Sequence, residues 1–461
     1  MTRNWPRTVL AGAIALAPFP TTAQTAVTAV PAVTVQSPAD TVELQLPIDA
    51  AMQDAAEYAR RFGVPLDEAM RRMRAQAATV PVTDALRTEF ADRLAGIAID
   101  HSPAYRITVL LTGTDAVAER SVTAGGMVVP ILFRTGAAAP LGVMIDKVRT
   151  AQADIRATLP HPPGIGVDQR TGEIIVMVAT ADLDRDRDGA LSRRFAAMTG
   201  VPVRIEAVDR PPVTMALQTP VQSIVQPLAQ PLVQAPDIAL RTPSAAIPRP
   251  ELAGGGRVIG TVEGRRYVCT TGFLVTDGVR SAIATAAHCP DALGYVGRDR
   301  RELALPYAGQ WGWGYQDVQI NLAPVASDPV AAPGQLLPPP AFYADTAKTR
   351  LRTVATWRNR TSTRAGDFVC HRGERTGYSC APVAMVDFAP AGDLCGGACL
   401  PTWVAVEGPT CKSGDSGAPV FEGQVALGLV KGGTYRADGS CVFYYYMSTD
   451  YLPTGWTLAY R

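Results

Sequence analysis

The chain has no cysteine in its first 268 residues, although eight follow from Cys269 onward. That gap excludes a disulfide framework or a thiolate metal site from the first half, so the two halves are stabilised by different means. Net charge is also nearly missing, with 43 basic side chains against 42 acidic ones. Without Lys and Arg clustered on one element there is no footprint for nucleic acid. No segment is long and uncharged enough to span a bilayer, which leaves no membrane partner to expect. Only four histidines occur, and His288 stands out among them by its setting rather than by rarity.

What is present suits a globular protein. Hydrophobic residues make up 47% of the 461, and 38 prolines with 41 glycines favour turns and linkers over long helices. The length implies two or three domains. Arg3 and Arg7 precede the apolar run Val9–Ala17, and small residues follow to Ala23. Residues 1–24 therefore read as an export signal, cleaved after Ala23 or a few residues later, and the protein as secreted or periplasmic. Residues 25–46 form a Thr, Val and Pro-rich spacer.

From there the pattern predicts a small α+β module over 47–208. Met52, Ala55, Ala56, Ala59 and Phe62 share one helical face, ended by Gly63. A second helix carries Leu66, Ala69, Met70 and Met73, and a third, capped by Thr83 and Asp84, runs through Leu86, Phe90 and Leu94. Residues 99–112 and 167–180 each read as a hairpin, with a helical stretch from Asp146 to Leu159 between them. Asp100 and Asp168 suit turns and His101 a loop. The aspartates of 184–189 match the first half of a calcium loop, but Phe195 stands where the bidentate glutamate belongs, so an exposed charged turn competes with that reading. Residues 209–253, broken by Pro211, Pro212, Pro220, Pro227, Pro231 and Pro236, form a linker suited to proteolytic cleavage.

Residues 254–461 favour short strands. Three positions carry the chemistry. His288 lies in Ala284-Thr285-Ala286-Ala287-His288-Cys289, Asp317 opens an apolar strand, and Ser416 lies in Gly414-Asp415-Ser416-Gly417-Ala418-Pro419. A hydroxyl nucleophile needs a base near neutral pKa and an acid that orients it, and these three supply the roles. The amides of Gly414 and Ser416 are placed to form an oxyanion hole. Asp415 reads as a structural carboxylate. Cys395 and Cys399 are spaced too widely for the usual metal pair, so no metal or other cofactor is expected.

These motifs, with Val369–Cys380, resemble the chymotrypsin-like serine proteases, in particular the secreted bacterial branch of α-lytic protease and the streptogrisins. The resemblance implies an all-β catalytic domain of two six-stranded antiparallel barrels. It also implies that the preceding module is a pro-region that assists folding and inhibits the enzyme before removal. It pairs Cys269 with Cys289, Cys370 with Cys380 and Cys411 with Cys441, leaving Cys395 and Cys399 for a tight extra bridge. Lys431-Gly432-Gly433 would bind extended substrate, with Pro409, Thr410 and Tyr445 as further pocket walls. No acid stands where strong Arg or Lys selectivity needs one, although Glu407 approaches from farther back. An apolar or small uncharged residue before the cut is the expectation.

Four departures bear on that picture. Ala418 replaces a glycine, Cys411 lies five residues before Ser416, and Lys431 replaces a serine beside the catalytic aspartate. His371 stands where the branch often has an arginine for Asp415, with Arg372 as the substitute. The expected protein is a secreted serine endopeptidase, made as a proenzyme and monomeric when mature. Its partners are protein or peptide substrates and, before processing between about residues 240 and 257, its own pro-region. A protease-like binding protein with an impaired triad and an esterase are the alternatives.

Overall fold

The computed structural model describes residues 42–183, 187–209, 213–214, 252–297, 300–323, 340–408 and 410–460. The export signal, nearly all of the spacer, the first three residues of the calcium-like run, most of the Pro-rich linker and Pro409 lie outside these. All six α-helices among the described residues fall before Gly200. They are α1 (Pro47–Phe62), α2 (Leu66–Ala78), α3 (Val80–Glu89), α4 (Leu141–Ala157), the single turn α5 (Thr180–Leu183) and α6 (Ala190–Thr199). Pro at the first turns of α1 and α3 suits positions whose N–H has no helical partner. The inward face of α1 is Ala50, Asp54, Ala55 and Tyr58, whereas Met52 is exposed. The third helix starts earlier than the Thr83 cap, and Leu94 opens a strand instead.

Two groups of strands accompany the helices. Leu94–Asp100 and Arg106–Thr112 form one hairpin, extended by Met127–Ala137 and Arg120–Ala124. Gly164–Asp168 and Glu173–Ala179 form the other, with Val203–Val208 parallel to it. Met144, Val148 and Ile155 of α4 and Phe195 of α6 bury its apolar face. Phe195 is thus a core residue.

The expected pair of six-stranded barrels is not what the chain forms. One barrel closes, in the order Phe368–Gly373, Pro419–Glu422, Val425–Tyr435, Cys441–Ser448, Trp403–Glu407, Gly377–Ala389, and back to Phe368–Gly373. Inward-facing Val369, Val383, Val404, Val420, Leu427 and Tyr446 fill it. The remaining sheets are open. One is four-stranded: Arg265–Thr270, Arg257–Val262, Leu293–Val296, Glu302–Leu305. Another is five-stranded: Tyr307–Trp311, Val318–Leu322, Ser281–Thr285, Leu274–Thr276, Thr457–Leu458. Pro306 separates Leu305 from Tyr307 and has no N–H to carry the ladder across. At the other junction Thr271 donates to Gly256, just before the four-stranded sheet's Arg257–Val262, and Gly272 donates to Ala284 of the five-stranded sheet.

The helices are not set apart from the barrel, since both fall in one compact unit, Val42–Arg461. Ala55, Tyr58, Ala69 and Met73 pack in one cluster with Phe368, Phe421 and Trp403. The barrel strand Gly377–Ala389 continues by pairing Phe388 and Ala389 with Gly166 and Ile165. That crossing is close: a Cβ on Gly166 would sit 2.8 Å from Met385 Sδ. Polar contacts reinforce it. Asp54 of α1, buried, meets Arg352 at 2.8 Å and takes hydrogen bonds from Tyr378 (2.6 Å) and the Gly423 amide (2.8 Å). Gln76 of α2 bonds both backbone groups of Phe368 as a strand would. His101 lies in the loop after Leu94–Asp100, half-buried, with its ring nitrogens 2.7 Å from Tyr58 Oη and from the Gly366 carbonyl.

The eight cysteines form four disulfides, Cys269–Cys289, Cys370–Cys380, Cys395–Cys399 and Cys411–Cys441. Such a set fits an oxidising, extracytoplasmic compartment. Among the described residues, no helix is long and apolar enough to cross a membrane.

Candidate active site

Two paired strands set His288 beside Asp317. Ser281–Thr285 and Val318–Leu322 run antiparallel with Thr285 opposite Gln319, so the chain leaves one strand toward His288 where Asp317 enters the other. His288 Nδ1 is 2.8 Å from Asp317 Oδ2, and the His288 amide donates to Oδ1 at 3.2 Å. Those two contacts fix the ring. Its other nitrogen, Nε2, lies 2.8 Å from Ser416 Oγ. Asp317 and Ser416 are buried.

Ser416 arrives from the barrel, on the loop before Pro419–Glu422. Thr270 and Thr285, the latter within the histidine motif but given no role there, hold that loop against the open sheets. Thr270 donates its amide to the Ser416 carbonyl and its hydroxyl to the Gly414 carbonyl, each at 2.8 Å. Thr285 donates to the Thr270 carbonyl, also at 2.8 Å. Gly417, at φ +84°, completes the approach: a Cβ there would lie 2.2 Å from Thr285 Oγ1 and 2.4 Å from the Thr270 carbonyl oxygen. Gly417→Ala should therefore push the serine loop away from the imidazole. We expect a loss of at least a hundredfold in reactivity toward a fluorophosphonate, since a displacement near 1 Å costs about that much. Ala418 is accommodated, buried in the barrel core.

Asp415 braces the same loop. Its oxygens accept from the amides of Arg375, Thr376 and Lys412 and from the Thr376 hydroxyl, over 2.8–3.1 Å. Burial pushes its carboxyl up, against those donors. Arg372 does not pair with it, bonding instead to Glu374 and to the carbonyls of Gly255, Asp345 and Thr346. His371 is buried against Tyr444, and burial with Arg372 lowers its pKa to about 4. Gly414 has φ +104°, and among the described residues no acceptor meets its amide or that of Ser416.

Lys431 is buried with Nζ 3.3 Å from Asp317 Oδ2 and 5.0 Å above the Trp403 ring centre. Burial alone raises the Asp317 pKa, but His288 and Lys431 outweigh it and hold the carboxyl down at about 2. Burial pushes the Lys431 pKa down, opposed by Asp317. The ring of His288 keeps its contact with Asp317 despite the lysine.

Of the residues expected to bind substrate, Gly432 and Gly433 pair antiparallel with Thr214 and Val213, a short strand from the chain's own linker. Tyr445 lies opposite Gly432. The hydroxyls of Thr410 and Tyr445 are buried without a hydrogen-bond partner among the described residues. Glu407 is engaged elsewhere, with Arg61 at 2.8 Å on the surface.

No protein-family model matches the chain, and a search of curated proteins gives no significant match. Solved structures do resemble part of it. Thermobifida fusca Protease A matches at 21% identity and a TM-score of 0.34, over 45% of this chain and 98% of that one. Cellulomonas bogoriensis chymotrypsin matches at 18% and 0.34 over the same shares. An alpha-lytic protease homolog, N4, matches at 20% and 0.31, over 43% of this chain and 93% of that one.

Proposed function

We propose that this chain is the precursor of a chymotrypsin-like serine endopeptidase, with His288, Asp317 and Ser416 as its catalytic residues. The observation that carries the reading is the imidazole held between a buried carboxylate and a hydroxyl, 2.8 Å from each. In this reading Ser416 Oγ attacks the scissile carbonyl while His288 Nε2 takes its proton, and Asp317 orients the ring and stabilises the imidazolium. The amides of Gly414 and Ser416 receive the oxyanion. His288 then protonates the departing amine. Water, giving its proton to His288, cleaves the acyl-enzyme and releases the acid, which restores the serine.

The pairing of Val213 and Thr214 with Gly433 and Gly432 supports a second element of the proposal. The chain's own segment occupies the strand edge where an extended substrate would add by β-augmentation. Residues 47–208 then act as the inhibitory pro-domain, the 209–253 linker is the cleavage region, and 254–461 is the catalytic domain. Export to a secreted or periplasmic location completes the scheme.

A fluorophosphonate probe tests it. The processed wild-type protein should take up one label per chain, and Ser416→Ala should take up none. Wild-type protein that stays unlabelled, or label that persists in Ser416→Ala, overturns the reading.

A further inference from the structure

Lys431 sits at a break in the barrel's ladder. Val430 opposes Tyr446 and Gly432 opposes Tyr445, so Lys431 is the extra residue of a bulge. A bulge re-aims a side chain. Here it turns an ammonium group inward, to 1% exposure, where only compensation by other groups makes burial of a charge tolerable. That compensation comes from Asp317 at 3.3 Å and the face of Trp403. The carboxylate oxygen involved, Oδ2, is also the one that meets His288 Nδ1 at 2.8 Å. One oxygen thus serves two cationic partners once the imidazole is protonated.

We infer that Lys431 is a positioning residue that locks Asp317 toward His288 and moves the working range of the site toward acid. The inference rests on the hydrolase reading above. Asp317 alone would stabilise an imidazolium strongly. With the Lys431 ammonium on the same oxygen, part of that field is already cancelled, and the cation–cation repulsion opposes protonation of the ring. The base then stays free to lower pH. Four titratable groups face this centre: His288, Asp317, Lys431 and Tyr445 from the adjoining strand. Burial keeps the Tyr445 phenol neutral, so the balance lies among the other three.

The test uses the rate of fluorophosphonate labelling as a function of pH on the processed protein, which needs no knowledge of the preferred peptide. In Lys431→Met the midpoint of the acid limb should rise by about one pH unit, so labelling near about pH 5 falls roughly tenfold relative to the plateau. Lys431→Arg, which keeps the charge, should hold the midpoint near the wild-type position. Lys431→Ser provides a smaller, uncharged second variant if the methionine form folds poorly, and its midpoint should rise likewise. Midpoints that stay in place in the uncharged variants overturn the inference and reduce Lys431 to packing. Failure of wild-type labelling, or its survival in Ser416→Ala, defeats the hydrolase reading instead, so the two failures are distinguishable.

Discussion

Asp317→Asn is expected to lower turnover by about four orders of magnitude, the loss associated with an imidazole held in the wrong tautomer. In this chain the same change has a second effect. It leaves the Lys431 ammonium buried without its carboxylate. Removing one partner of a buried ion pair costs about 3–5 kcal/mol, so the variant should also unfold at lower urea. Adding Lys431→Met to Asp317→Asn should return most of the stability and none of the rate. Urea midpoints and single-turnover labelling separate the two effects. Equal stability of Asp317→Asn and wild type would show that the ammonium is relieved by some other route. The pH dependence follows from the same carboxylate. Its folded pKa of about 2 lies below the ordinary aspartate value of 3.8, so its stabilising contribution is complete above that ordinary value. It is lost as pH falls through about 2.

The second large effect is expected far from the serine. Asp54→Ala should destabilise the full-length chain by about 3–5 kcal/mol. Arg352 is fully buried and Asp54 nearly so, and the change also removes the acceptor for Tyr378 and the Gly423 amide. The comparison is Arg61→Ala, which breaks an ion pair whose members are 44% and 43% exposed. Exposed pairs contribute about 0–1 kcal/mol. Both changes belong in a Ser416→Ala background, which removes the proposed nucleophile before unfolding is read. Similar urea midpoints for the two variants would contradict the assigned importance of the buried pair.

The contrast between these acids shows how far a sequence alone carries. The motifs around His288 and Ser416 brought attention to groups that do meet in space, because short strings there encode local turns and a strained glycine. Asp317 could be chosen because it opens an apolar strand. Asp54 could not: on helical periodicity it belongs to the wet side of α1. Its burial depends on Arg352, nearly 300 residues away, which no periodicity reveals. The same holds for Thr270 and Thr285, ordinary strand residues by composition whose hydroxyls bind loops together. The expectation of two barrels failed for a related reason. Strand-forming segments are visible in 257–322, but whether a sheet closes depends on which edges meet, and here the strands part into two open sheets at Thr271–Gly272 and at Pro306. Lys431 was conspicuous as a substitution, while its effect required the distance to Asp317.

The short ladder joining Phe388 and Ala389 to Ile165 and Gly166 has a consequence for any shortened product. A product stripped of the residues before the 209–253 linker loses the neighbour that pairs with Phe388 and Ala389 at the end of Gly377–Ala389. Peptide groups there then face water or a strand from another molecule, with a phenylalanine beside them. Such an open margin invites self-association. Concentrated material lacking its first half would therefore tend to clump, and losing its companion would cost it colloidal peace as well as a cover.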